Sequence, residues 1–223
     1  MPEIHTLETK KTGRFFVAGP RAPQDADKVL FALHGYGQLP EFFMRRFATA
    51  VEAGWTVIAP EGLHRFYVQG TSGRVGASWM TREAREDDIA DTLNWLDQIR
   101  SHLLGPVRPK HCVLLGFSQG VPAAVRWAVR HADWDALILW AGVFPPDVEP
   151  DALWRELKGI PIHTALGSED PFFDDRLRAQ TGEALEAAGA GWTHHHHSFV
   201  GAHAVDGPTL LNVLEAISSP RQA

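Results

Sequence analysis

The strongest constraint on this chain is a rhythm. Short, unbroken apolar runs recur along it, separated by segments of helical periodicity. Residues 28–33 (KVLFAL), 55–59, 110–116 (KHCVLLG), 136–141 and 160–166 are too short for helices and too uniformly apolar to keep one face in water. Runs of this kind suit strands buried on both sides, the situation inside a parallel sheet. Between them, Phe43, Phe47, Ala50 and Val51 share one face ahead of Gly54, and Ile89, Leu93, Leu96 and Leu103 form a stripe over residues 83–104. Further helices are expected over 119–131, with Pro122 tolerated in the first turn, and over 208–217. Another should carry Leu177, Thr181, Leu185 and Ala188 and end at Gly189. Two more strands are expected, at 14–18, hairpinned with 4–7, and at 192–199. Alternation of this order predicts an α/β fold, a mostly parallel central sheet with helices on both faces.

With 223 residues the chain is long enough for a full core in one domain, expected over 1–223, but leaves few residues for a separate lid domain. The net charge of −6 gives no reason to expect a nucleic-acid partner. A single cysteine, Cys112, excludes a disulfide within the chain and reads as a small buried apolar residue in mid-strand. Met1-Pro2-Glu3-Ile4-His5 lacks the basic start and apolar run of a signal peptide, and no window approaches the ~20 apolar residues of a membrane helix. A cytoplasmic protein, monomer or homodimer, is expected.

Gly116-Phe117-Ser118-Gln119-Gly120 matches G-x-S-x-G, preceded by a buried strand and followed by a helix. That context is the nucleophile elbow, a sharp strand-to-helix turn that exposes a serine. A serine hydroxyl needs a histidine to take its proton and a carboxylate to orient that histidine. In this architecture they should follow in the order acid, then base, on loops after later strands. Asp170, in Gly167-Ser168-Glu169-Asp170-Pro171, fits the acid, with Glu169, Asp174 and Asp175 as competitors. His203, in Gly201-Ala202-His203-Ala204, fits the base. An oxyanion would need two backbone N–H donors, expected from Gln119, after the serine, and from Tyr36 in Leu33-His34-Gly35-Tyr36-Gly37. His34 itself reads as a structural, hydrogen-bonded residue.

With LHGYG, GFSQG, GSEDP and GAH in this order, the chain resembles the α/β-hydrolase superfamily. More closely, it resembles the small carboxylesterase and acyl-protein thioesterase (phospholipase–carboxylesterase) family. The likeness runs from about residue 28 to 217, which would be the catalytic core, and includes Ser78-Trp79 before the long helix. It implies Ser118 as nucleophile, Asp170 as orienting acid, His203 as base and the Tyr36 and Gln119 amides as oxyanion donors. Family members often carry HGLGD, where this chain has Tyr36 for leucine and Gln38 after Gly37, and its elbow continues Gly120-Val121-Pro122. These departures bear on the substrate more than on the reaction.

Residues 60–82 show no helical period and read as a long loop over the carboxyl ends of the strands. An apolar acyl or aryl groove is expected from Leu63, Phe66, Tyr67, Trp79 and Met80, with Phe144 and Phe172 from later loops. The expected reaction is cleavage of a small carboxylic ester or thioester without metal or cofactor. Lysophospholipid, feruloyl-ester and lactone hydrolysis are alternatives for the same triad, and an inactive binding module is the alternative of another class. His194-His195-His196-His197 would alternate between two faces of a strand; His194 and His196 could chelate, but spacing offers no third ligand, so an edge or partly exposed strand without metal is expected.

Overall fold

The computed structural model of the chain describes residues 2–148, 155–173, 177 and 193–219. Its centre is a seven-stranded sheet formed by β1 (Phe15–Ala18), β2 (Lys28–Leu33), β3 (Thr56–Pro60), β6 (His111–Phe117), β7 (Ala136–Trp140), β8 (Ile162–Gly167) and β9 (His194–Phe199). The spatial order is β1-β3-β2-β6-β7-β8-β9. Only β1 runs antiparallel to its neighbour; every other pair is parallel. The apolar runs explain this arrangement. In β2, Val29, Phe31 and Leu33 join one core cluster while Leu30 and Ala32 join the other, because successive side chains leave opposite faces of a strand. Each fully buried Leu, Ile or Phe contributes about 2–3 kcal/mol of transfer free energy.

The helices that cover the first face are α3 (Arg85–Leu104) and α4 (Gly120–Arg130), which supply Leu96, Ile99, Val121, Ala124, Val125, Trp127 and Ala128 to that cluster. On the opposite face lie Phe43 of α1 (Pro40–Phe43), Phe47, Ala50 of α2 (Ala48–Glu52), and Leu210, Val213 and Leu214 of α5 (Gly207–Ser218). Asp206 caps α5 by accepting the Thr209 N–H at 2.9 Å, and Pro208 sits where its missing N–H costs nothing.

Four expectations change. Residues 4–7 form no hairpin: Ile4 and Leu7 are almost fully exposed, and β1 pairs with β3 instead. Their spacing lacks the alternation that would give a strand an apolar face. The helix through Phe43 and Val51 is broken into α1, a 3-10 turn (Met44–Phe47) and α2, which keeps both phenylalanines buried. The stripe of α3 is rotated: Thr92, Leu96, Ile99 and Leu104 are buried, whereas Ile89, Leu93 and Leu103 are half-buried. Residues 60–82 are not one open loop. They contain a two-stranded hairpin, β4 (His64–Tyr67) with β5 (Val75–Ser78), in which His64 faces Ser78 and Tyr67 faces Val75. The expected helix ending at Gly189 lies, apart from Leu177, outside the described residues.

Candidate active site

The site is built at the carboxyl ends of β2, β6, β8 and β9. Ser118 lies directly after β6 with φ +52°, a left-handed conformation that costs a non-glycine residue about 1–3 kcal/mol. The turn is held from both sides: Ser118 N–H donates to Trp140 O, and Ser118 O accepts from Val121 N–H, each at 2.9 Å. The flanking glycines are steric requirements. A Cβ on Gly116 would stand 2.5 Å from Gly120 O, and one on Gly120 would stand 2.2 Å from Leu33 O.

The loops after β8 and β9 are tied together by Glu169 N–H donating to Gly201 O at 2.9 Å. This presents Asp170, whose side chain is fully buried, to His203. His203 Nδ1 lies 2.7 Å from Asp170 Oδ2, and the other carboxylate oxygen accepts the Phe172 N–H at 2.9 Å. A carboxylate can only accept, so Nδ1 carries a proton, and in the neutral imidazole Nε2 keeps its lone pair. Among the competitors, Glu169 is exposed to solvent, while Asp174 and Asp175 lie outside the described residues. The His203 ring packs 4.8 Å from the ring of Phe117, the residue before the serine, and 4.8 Å from Phe172. Behind it, Trp140 Nε1–H donates to Ala204 O at 2.8 Å. Among the described residues no hydrogen bond joins Ser118 Oγ to His203; such bonds often close only when substrate is seated.

The loop after β2 leans against the elbow: a Cβ on Gly35 would lie 3.2 Å from Ser118 Cβ. Its amides are taken one by one. Gly35 N–H donates to Gln38 Oε1 (2.9 Å), Gly37 N–H to Ala77 O (2.9 Å) and Gln38 N–H to Gly35 O (3.2 Å). Among the described residues the Tyr36 N–H has no hydrogen-bond acceptor, and the Gln119 N–H at the start of α4 has none either. His34 is buried, with Nδ1 2.8 Å from Gly35 O while Nε2 accepts the Gly62 N–H at 3.0 Å. Two fixed partners leave one neutral tautomer, protonated on Nδ1. Burial pushes its pKa down to about 4, against the opposing pull of the Gly35 hydrogen bond and of Glu61.

Of the groove candidates, Phe172 is 67% exposed and stands over His203. Tyr36 is exposed and its ring lies 4.9 Å from that of half-buried Phe66; Tyr67 is exposed and Leu63 half-buried. Phe144 is half-buried against the α3–α4 cluster. Its loop is fastened by Asp147, which accepts from Arg126 (2.5 and 2.9 Å) and Arg85 (2.6 Å). Met80 lines a recess with Gln119, Ile89, Leu93 and Ala123. Trp79 lines the same recess from the core side: it is 2% exposed and belongs to the buried cluster, with Nε1–H donating to His34 O at 2.7 Å. Its large apolar ring suggested a groove; its buried position comes from contacts with distant residues that spacing does not show.

Sequence reasoning also missed Gln38 and Ser78, polar residues that position the loops, and the partner of the histidine run. β9 is the sheet edge, paired with β8. His195 and His197 stack on His163 at 4.8 and 5.3 Å, and His163 Nδ1 lies 3.0 Å from His197 Nε2. On the other face His194 and His196 both reach Thr164 Oγ1. Among the described residues no group of three or more metal-ligating side chains stands close enough to hold an ion. Cys112 is buried in β6, which pushes its thiol up to about 12 and makes it a poor nucleophile.

Known proteins share this framework. The carboxylesterase from Mesorhizobium loti superposes with a TM-score of 0.69 at 17% identity, covering 96% of this chain and 99% of its own. Zea mays acyl-protein thioesterase 2 superposes with a TM-score of 0.67 at 15% identity, covering 93% of this chain and 98% of its own. Likeness at these identities shows the α/β-hydrolase fold. A curated relative, putative esterase NocK of Nocardia uniformis subsp. tsuyamanensis, is 30% identical over 161 residues, 69% of this chain. The chain spans under half of that relative, 44% of its length. The family model described as phospholipase/carboxylesterase matches residues 13–219, and the chain belongs to that family of hydrolases.

Proposed function

We propose that the chain is a serine hydrolase that cleaves carboxylic esters or thioesters through an acyl-enzyme on Ser118. The observation that carries this reading is the hydrogen-bonded His203–Asp170 pair, whose geometry leaves Nε2 free as a proton acceptor beside the serine turn. Ser118 Oγ attacks the acyl carbonyl and gives its proton to His203 Nε2. The carbonyl π electrons move onto oxygen, and the resulting oxyanion is held by the Tyr36 and Gln119 N–H groups. The tetrahedral centre collapses, breaking the bond to the alcohol or thiol, which departs with the proton from His203. Water then attacks the acyl-enzyme with His203 again as base, and the acid is released with Ser118 regenerated. Asp170 holds the imidazole in its tautomer and offsets its transient positive charge.

The substrate reading is a small ester or thioester whose acyl or aryl part lies along Phe172 and the Tyr36–Phe66 pair, with the site covered by loops. A fluorophosphonate probe tests the reaction. Labelling is expected on wild type and lost in Ser118→Ala, with kcat on p-nitrophenyl acetate reduced roughly 10⁴- to 10⁶-fold. An unlabelled wild type, or a labelled Ser118→Ala, refutes the assignment. Paired oxygen and thioesters of one acyl group, with a lysophospholipid, a feruloyl ester and a lactone beside them, rank the substrate classes by kcat/KM.

A further inference from the structure

Oxyanion stabilisation requires two N–H groups at a fixed spacing, yet Tyr36 and Gln119 sit on loops after different strands. Trp79 touches both loops. Its indole Nε1–H donates to His34 O at 2.7 Å, and its ring lies 4.8 Å from the His34 ring. Its backbone N–H donates to Gln119 Oε1 at 3.3 Å. Its own carbonyl accepts the Thr92 hydroxyl at 2.9 Å, which anchors it to α3.

Each tie passes to a donor. His34 Nδ1–H donates to Gly35 O at 2.8 Å. That carbonyl and the Tyr36 N–H belong to one planar trans peptide unit and point in opposite directions, so holding the carbonyl aims the N–H. A hydrogen bond on the carbonyl also polarises the same unit and strengthens its N–H as a donor. On the other side, Gln119 Nε2 donates to Met80 O at 2.9 Å and to Ser78 Oγ at 3.1 Å. The residue that carries the second N–H is thereby clamped to residues 78–80.

We propose that Trp79 is a positioning residue that sets the spacing of the Tyr36 and Gln119 N–H donors. The inference rests on the serine-hydrolase reading above. Charge on the former carbonyl oxygen is largest in the transition state, so loosened donors lower kcat and leave substrate binding nearly unchanged.

Trp79→Phe keeps a ring in the core and removes the indole N–H. Its kcat on p-nitrophenyl acetate is expected to fall about 10- to 100-fold, with KM within about threefold. Affinity for a trifluoromethyl ketone, which forms a tetrahedral adduct with the serine, should weaken by the same factor as kcat/KM. Trp127→Phe is the control for core damage. Trp127 is as deeply buried and loses its 2.8 Å bond to Asp97, but it is not tied to either donor loop. It should lower the melting temperature and leave kcat and inhibitor affinity near wild type. Thr92→Val removes only the anchor of the Trp79 carbonyl and should show the Trp79→Phe signature at about two- to fivefold.

Trp79→Phe with unchanged kcat and inhibitor affinity overturns the proposal, as does a Trp127→Phe that reproduces the loss. If Trp79→Phe does not fold, Thr92→Val decides, and unchanged values there overturn it. A wild-type chain inert to fluorophosphonate and esters refutes the hydrolase reading and this inference together. An active wild type with unaffected variants refutes this inference alone.

Discussion

The centre and the edge of the sheet contribute to the site in different ways. The central strands β2 and β6, apolar and buried on both faces, lead into the serine turn and the two proposed oxyanion donors. The edge strands β8 and β9 deliver Asp170 and His203 from loops joined by one backbone hydrogen bond, on strands zipped by five imidazoles. At the centre, position is fixed by steric exclusion at the serine turn, where no atom fits in place of a Gly120 side chain, and by hydrogen bonds of Trp79, His34 and Gln119 in the loops around it. At the edge it is fixed by polar pairs whose strength depends on protonation. In the proposed reaction the edge carries the proton transfers.

The sharpest way to break this contrast is to change the edge without disturbing the centre. Asp170→Asn keeps shape but offers His203 Nδ1 an N–H in place of an acceptor oxygen. The ring then favours the tautomer with its proton on Nε2, where it cannot accept from Ser118. A fall in kcat of about 10³- to 10⁴-fold is expected, with the melting temperature little changed. Steady-state kinetics with p-nitrophenyl acetate measures it, and a loss below tenfold would show that the edge does not set the tautomer.

At the centre the expected damage is to the fold. In Gly120→Ala the new methyl would meet Leu33 O at 2.2 Å and the His34 carbonyl at 2.8 Å, both backbone atoms that cannot swing aside. Relief requires β2 and α4 to separate, at about 3 kcal/mol or more. Chemical denaturation reads this as a lower midpoint with the same slope. A variant as stable as wild type would mean that the elbow is less tightly fixed than its contacts indicate.

The same division explains what sequence reasoning reached. The central strands were readable because burial on both faces leaves unbroken apolar runs, and the serine turn because two close backbone approaches demand glycine at fixed offsets. Asp170 and His203 followed from their places after strands. The 64–78 hairpin was not readable: His64, Arg65, Phe66 and Tyr67 alternate only between half-buried and exposed, so no strong apolar period marks them. Nor were the ties of Trp79 to His34 and Gln119, which span 45 and 40 residues, or the pairing of His163 with the histidine run. Contacts between distant residues leave no spacing to read.

Acid should separate the two regions next. Burial pushes His163 down to about 4, and the positive charges of His195, His197 and His194 would push it the same way. Between pH 6.5 and 4 the unfolded chain therefore binds a proton that the folded chain refuses. Stability is complete above about pH 6.5 and falls with pH through that window, by about 3 kcal/mol for a shift of this size. His34, also held near 4, acts in the same direction at the centre. His163→Phe keeps the stacked ring and removes the titration at the edge. Its melting temperature should fall less between pH 7 and 4.5 than that of wild type, by about 5–10 °C. Parallel curves for the two proteins would place the acid sensitivity elsewhere, with His34 as the first candidate for a matching substitution.

The smallest expected effect concerns Phe172, where the edge meets the proposed groove. Its ring is mostly exposed, so removing it should change stability by no more than about 0.5 kcal/mol. The ring nonetheless lies edge-on to His203 at 4.8 Å and shields one side of the base from water. An acyl chain laid along that ring gains contact area with its length, at about 0.8 kcal/mol per methylene fully removed from water. Phe172→Ala should leave kcat/KM for p-nitrophenyl acetate within about twofold and lower it about three- to tenfold for the octanoate. The loss should fall mainly in KM, because the contact is the same in ground and transition states. An equal loss for acetate and octanoate would move the ring from the groove to the base, as a cover that keeps water from His203. An unchanged octanoate rate would leave the Tyr36–Phe66 pair as the apolar wall and place the acyl chain on the central side of the serine.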